Sequence, residues 1–188
     1  PTAADSYSYT LDAETEKRRV SEAVAEVKKR FPKAVISADT CRAATARAAI
    51  DCGADIINDI TALEADPAMT ETVRRANTPV ILMHTRGTPR DMQKNAVYQN
   101  AAAEVRGYLA ARMEFCKNAG IPAEKVIIDP GLGFAKLLQH NLDILKNIDL
   151  FMTLGAPVLI GASRKTFIGQ VLGSPETASS RLNLSQAF

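Results

Sequence analysis

Five points along the chain place chemically capable side chains directly behind short apolar runs. Asp39 closes one run, and Asn58-Asp59 follow Ile56-Ile57. His84 follows residues 80–83, and Asp129 follows Val126-Ile127-Ile128. Ser163-Arg164-Lys165 come after Val158-Leu159-Ile160. Carboxylates beside an amide supply acceptors and one donor, a set suited to a nitrogen heterocycle. The sharpest local signal is Asp129-Pro130-Gly131-Leu132-Gly133-Phe134. A carboxylate at the tip of a buried strand is costly unless it meets donors. The glycines allow a close backbone approach behind it, and Phe134 offers an apolar face to a flat ring. Lys136 stands where a dinucleotide fingerprint needs its third glycine, so GxGxxK is not that fingerprint. Ser163-Arg164-Lys165 at a rim could meet an anion or an electron-rich ring. His84 and His140 lie in distant segments and read as histidines satisfied by hydrogen bonds; Met83 reads as pocket wall or core.

Taken singly, each of these has a plain structural reading. Thr40 and Asp39 could cap a helix, Asn58-Asp59 could close a buried strand, and Pro130-Gly131 and Ser163-Arg164-Lys165 could be turns. Their recurrence at five successive strand ends is what argues for a ligand.

The elements that must position them alternate. Short apolar runs at Val35-Ile36, Ile56-Ile57, Val80-Ile81-Leu82, Val126-Ile127-Ile128 and Val158-Leu159-Ile160 read as strands. Residues 42–52, 67–77, 97–119 and 140–150 read as helices between them, and two more are expected from Thr166 and from Glu176. Ahead of them, Val20, Ala23, Val24, Val27 and Phe31 recur at helical spacing. Asp12 serves as N-cap, Glu14 and Glu16 favour the first turn, and Lys28-Lys29-Arg30 the last. Residues 1–10 read as a loose terminus. Strands separated by helices predict parallel βα units with both sheet faces covered. An open doubly wound sheet gathers its chemistry at one switch point, whereas a TIM (β/α)8 barrel spreads it around the C-terminal rim. Five polar strand ends favour the barrel.

Composition narrows the class. The 188 residues suit one domain, and 23 Lys and Arg against 21 Asp and Glu give no reason to propose nucleic acid or an acidic membrane as partner. No apolar stretch approaches a membrane span. Cys41, Cys52 and Cys116 lack CxxC spacing, so neither a disulfide framework nor a zinc site is expected. Reduced thiols predict a cytoplasmic protein.

The strings ISADT, DIINDI, ILMHTRGTPRDM, VIIDPGLGF and LIGASRKTFIGQVL span residues 36–172 and together closely resemble the dihydropteroate synthases, a family of pterin-binding TIM barrels. The resemblance implies a transferase of folate biosynthesis. It would join 6-hydroxymethyl-7,8-dihydropterin diphosphate to p-aminobenzoate, releasing pyrophosphate with Mg2+ present, and sulfonamides would mimic the second substrate. By family pattern, Asp39, Asn58 and Asp129 would hydrogen-bond the pterin, and Met83 and Phe134 would line its slot. Lys165 would lie near the reacting centre and Ser163 beside p-aminobenzoate; Asp129 and Lys165 are the residues expected to act on the chemistry. No metal ligand is assigned within these residues.

The family's first two strands, with their metal- and diphosphate-binding loops, and its last strand have no counterpart here. Residues 1–188 are therefore expected to form one incomplete pterin-binding barrel domain of about five strands, with open edges prone to association. The full-length protein is expected to be a homodimer. Ala135 stands where the family usually has glycine. Two other readings remain open: a methyltetrahydrofolate-type pterin methyltransferase domain, against which the Ser163-Arg164-Lys165 segment argues, and a non-catalytic pterin-binding fragment.

Overall fold

The computed structural model describes residues 11–87 and 96–173. The loose terminus 1–10, Pro89 and Met92 of the third string, and the helix expected from Glu176 lie outside the described residues. Helix α1 (Ala13–Arg30) opens on the expected cap, with the Thr15 amide donating to Asp12 Oδ1 at 2.9 Å. Three βα units follow: β1 (Ser37–Asp39) with α2 (Ala43–Asp51), β2 (Ile56–Asp59) with α3 (Met69–Ala76), and β3 (Val80–Met83) with α4 (Ala101–Asn118). After them come β4 (Val126–Asp129), α5 (Leu138–Lys146), α6 (Ile148–Met152) and α7 (Thr166–Val171). The strands form one parallel sheet in the order β1-β2-β3-β4. Sequential parallel order with helical crossovers is the arrangement of a barrel wall.

The strand register decides which residues share a face. Asp39 pairs with Asn58, Asn58 with Ile81, Ile81 with Ile127, and Met83 with Asp129. Side chains alternate along each strand. Ala38, Ile57, Val80, Leu82, Val126 and Ile128 therefore point together toward the helices and form the main core with Met69, Val105, Leu109 and Phe151. The opposite face carries Asp39, Asn58, Met83 and Asp129 at the C-terminal ends. Period two thus separates packing from chemistry within the same short strands.

The fifth apolar run departs from expectation. Residues 158–160 form no strand and contribute a single parallel bridge, Val158 to Ile128. Ile128 donates to the Pro157 carbonyl at 3.0 Å, and Leu159 donates back at 2.8 Å. The next rung would need an amide proton from the residue two beyond Ile128, which is Pro130, and proline has none. The ladder stops there, with Leu159 and Ile160 partly exposed. At the other side, an apolar groove of about 380 Å³ runs between α1 and β1.

Three helix expectations shift for local reasons. The first strand closes at Asp39 as expected but begins only at Ser37, and Val27 and Phe31 are exposed, Val27 along the groove between α1 and β1. Helix α4 starts at Ala101, not at Val97, because Asn100 caps it (Ala103 amide to Asn100 Oδ1, 2.9 Å). Residues 140–150 divide into α5 and α6 at Asn147, whose side chain donates to the Asp143 carbonyl at 2.8 Å. Glu16 stands in the first turn of α1 as expected and is also buried; it accepts from Thr40 Oγ1 at 2.5 Å and pairs with Arg42. That pair fastens α1 to the loop just beyond Asp39.

Candidate functional site

Asp39 and Asn58 sit side by side in the register, where the Asn58 amide favours the charged form of the Asp39 carboxyl. Its oxygen, Asn58 Oδ1, is buried with no hydrogen-bond partner among the described residues. A buried acceptor without a donor costs about 1–3 kcal/mol. Such a cost persists where a ligand supplies the donor. Asp39 is exposed by surface area yet walled by protein on most sides; loss of hydration, then the Asp59 charge, push its carboxyl up to about 6, partly opposed by Asn58.

Asp59, adjacent in sequence, points the other way and is fully buried. Its carboxylate accepts from the Thr61 amide (2.8 Å), the Thr61 hydroxyl (2.7 Å) and the Leu63 amide (3.0 Å). Those bonds hold Ala62 and Leu63, both at positive φ, in a tight turn. Of the pair Asn58-Asp59, only Asn58 faces the site.

One layer above the Asp39–Asn58 row, Ile60, Met83, Phe134 and Ala135 form a separate small apolar cluster. Asp129, beside Met83 in the register, is buried and accepts from the Gly131 amide at 2.7 Å. Burial raises its carboxyl above the ordinary range; the Gly131 amide, Lys165 and Lys136 pull it back. Lys165 stands with its ammonium 4.2 Å from the Phe134 ring centroid, a cation–π contact. Burial lowers its pKa, against the pull of Asp129. Lys165 precedes α7, so the last segment folds back over the loop after β4. Ser163 lies exposed in the turn ahead of it.

The loop itself is pinned. A side chain at Gly131 would put its Cβ 2.1 Å from the His84 carbonyl oxygen, and φ there is +71°. Only glycine fits. Ala135 adopts φ 49° without that freedom, which makes physical sense of the glycine usual at this position.

Sequence reasoning missed two residues here. Asn141 is buried on α5, accepting from Gly133 N–H at 2.8 Å and donating to the Leu137 carbonyl at 2.9 Å. Lys136 is buried as well, with its ammonium 3.0 Å from His84 Nδ1 and 2.8 Å from the Phe134 carbonyl. The available signal was a lone lysine running straight into Leu137-Leu138. His84 is, as expected, a hydrogen-bonded buried histidine, and His140 Nδ1 accepts from the Leu137 amide at 3.2 Å. Met83, Asp129, Phe134 and Lys165 are thus brought together above the Asp39–Asn58 row; Ser163 stays at the rim. No group of three or more His, Cys, Asp or Glu suited to a metal ion occurs among the described residues.

The strand ends of a parallel barrel wall thus bring acceptors together on one face, with the Phe134 ring and Met83 one layer above. The sequence matches the family described as "Pterin binding enzyme" over residues 2–188. It is 43% identical over 165 residues to dihydropteroate synthase of Haemophilus influenzae, covering 88% of this chain and 59% of that protein. It is 39% identical over 141 residues to that of Synechocystis sp., covering 75% and 49%. The fold superposes at TM-score 0.86 and 33% identity on dihydropteroate synthase from Xanthomonas albilineans in complex with 7,8-dihydropteroate, covering 95% of this chain and 64% of that one. The chain belongs to the pterin-binding enzyme family. It spans about half to three fifths of the length of these two curated relatives. No helix among the described residues is long and apolar enough to cross a membrane.

Proposed function

We propose that this chain carries the pterin slot and the p-aminobenzoate side of a dihydropteroate synthase. The observation that carries the reading is the buried, unpartnered Asn58 Oδ1 set in register beside Asp39. A pterin presents amino and ring N–H donors along one edge, and Asp39, Asn58 and Asp129 present acceptors. Met83 and Phe134 would hold the ring's faces, a contact that favours flat π-systems.

The reaction joins the aromatic amine of p-aminobenzoate to the pterin methylene carbon as its bond to diphosphate breaks. Positive charge then develops on the pterin. The Asp129 carboxylate, fixed beforehand by Gly131, lies where that charge is stabilised without reorganisation. Lys165 and Phe134 would bound the second substrate, with Ser163 at its outer end, and the slot's main contribution would be to align the two reactants. The aromatic amine is nucleophilic enough that no base of shifted pKa is required. Mg2+ accompanies the diphosphate in this reading, and the described residues offer it no cluster of His, Cys, Asp or Glu donors.

The setting is a cytoplasmic homodimer, in which Cys41, Cys52 and Cys116 stay reduced. Lys165 stacked on Phe134 favours the synthase over a methyl-transferring pterin protein. The test is to incubate the protein with 6-hydroxymethyl-7,8-dihydropterin diphosphate, p-aminobenzoate and Mg2+ and to assay 7,8-dihydropteroate. Product that falls when a sulfonamide competes supports the synthase. Tight pterin binding with no condensation selects the binding-fragment reading.

A further inference from the structure

Lys136 takes no part in the chemistry above, yet it is one of the most buried charged groups described, only 3% exposed. Its ammonium donates to the Phe134 carbonyl at 2.8 Å and to the His84 carbonyl at 3.3 Å, and lies 3.0 Å from His84 Nδ1. The three acceptors match the three donors of an ammonium. A neutral amine has only two, so all three contacts then survive only if His84 takes the Nδ1–H tautomer and donates in its turn. The bonds span the slot's two walls, because Phe134 is one wall and His84 directly follows Met83, the other. We infer that Lys136 is a positioning residue: its ammonium braces the Phe134 wall against the end of β3, and pterin affinity depends on that brace being complete. The inference rests on the reading of this slot as a pterin site.

The brace is built to weaken near neutral pH. Burial lowers Lys136 to about 7, with Arg86 and Lys165 adding repulsion and Asp129 opposing. These charged groups come from the stretch beyond β3, the approach to α7 and the end of β4. Helix α5 contributes only neutral Asn141, whose side chain donates to the Lys136 carbonyl at 3.3 Å. Burial, Lys136 and Arg86 lower His84 to about 3, so its imidazole is neutral and Nδ1 can accept, while the Tyr108 ring packs edge-on at 4.9 Å. A methionine would fill the same volume without desolvating a charge, which sets positioning above stability as the reason for a lysine.

The test measures binding of 6-hydroxymethylpterin to the 188-residue chain by calorimetry at pH 6.5 and 8.5, for the native chain, Lys136→Met and Asn58→Ala. The ligand's own ionisation is common to every variant and cancels in the comparison. Native affinity is expected to fall about fivefold more across this range than that of Lys136→Met, as loss of one ammonium hydrogen bond implies; the variant, lacking all three contacts, should be weak at both pH values. In parallel, the 13Cε resonance of Lys136 should titrate near 7 and shift to higher pH when pterin is added. Lys136→Met with the native pH dependence, or a Lys136 titration indifferent to pterin, overturns the inference, and the second measurement decides alone should the variant not fold. Asn58→Ala separates the two readings. If it binds like the native chain, the slot reading falls; if it loses binding while Lys136→Met behaves as native, only the role of Lys136 falls.

Discussion

Asn58 and Asp59 are neighbours in the chain and opposites in the fold. Asp59 points to the helices and has both carboxylate oxygens engaged inside the protein, by Thr61 and Leu63. Asn58 points to the slot and leaves Oδ1 without a partner. The contrast extends over the sheet: Ala38, Ile57, Leu82 and Ile128 close an apolar core on one face, while Asp39, Met83 and Asp129 wait on the other. A face whose polar demands are met internally works for stability. A face that leaves acceptors aligned and unmet is arranged for something brought in from outside.

The largest expected effect lies where the two faces are tied together. Gly131→Ala would drive a Cβ into the His84 carbonyl in a left-handed conformation, and a loss of about 4 kcal/mol in urea unfolding is expected. Pterin binding should disappear with it, because the loop bearing Phe134 must lift away. Asp59→Ala should cost about 3 kcal/mol, as three donors and a turn at positive φ lose their anchor. Measured well below its melting temperature, that variant should still bind pterin. Asn58→Ala should do the reverse, weakening pterin binding about tenfold with little change in the melt. If both substitutions moved stability and binding together, the division between faces would collapse.

Smaller effects sharpen the same contrast. Burial raises Asp39 to about 6, so its charge is held at a cost above that pH, and the cost is relieved as pH falls toward its ordinary value of 3.8. Binding should run the opposite way, because pterin N–H groups need the charged acceptor. Affinity measured by fluorescence titration is therefore expected to drop as pH falls through about 6, and Asp39→Asn should remove that dependence. The smallest effect is Ala135→Gly, which relieves φ 49° and should stabilise the chain by about 0.5–1 kcal/mol in the melt.

The slot was legible in the sequence because its residues stand at strand ends, where period-two alternation and apolar runs announce themselves. Asp39, Asn58, Met83, Asp129 and Phe134 fall where the runs Ile56-Ile57, Val80-Ile81-Leu82 and Val126-Ile127-Ile128 place them. Residues 158–160 carry the same apolar signal, but Pro130 on the neighbouring strand withholds the amide a ladder needs, and only pairing reveals that. The burial of Glu16 left no trace because its partners, Thr40 and Arg42, lie beyond another element. Lys136 and Asn141 were silent for a similar reason: what makes them matter is burial against His84 and the loop after β4, and burial of a polar side chain leaves no periodic trace. Asn58 and Asp59 could not be ranked until the register turned one inward and one outward.

The central claim is that the inner face is a preformed pterin slot that depends on Asn58 and not on Asp59. It is tested most directly by circular-dichroism melts of the native chain, Asn58→Ala and Asp59→Ala, each with and without a dihydropterin. Since a ligand stabilises only the states that bind it, the account predicts a cooperative transition raised by the ligand in the native chain and in Asp59→Ala. In Asn58→Ala the same ligand concentration should raise the transition much less, as an affinity about tenfold weaker implies. A native transition indifferent to dihydropterin, or an Asn58→Ala transition raised as far as the native one, would contradict it.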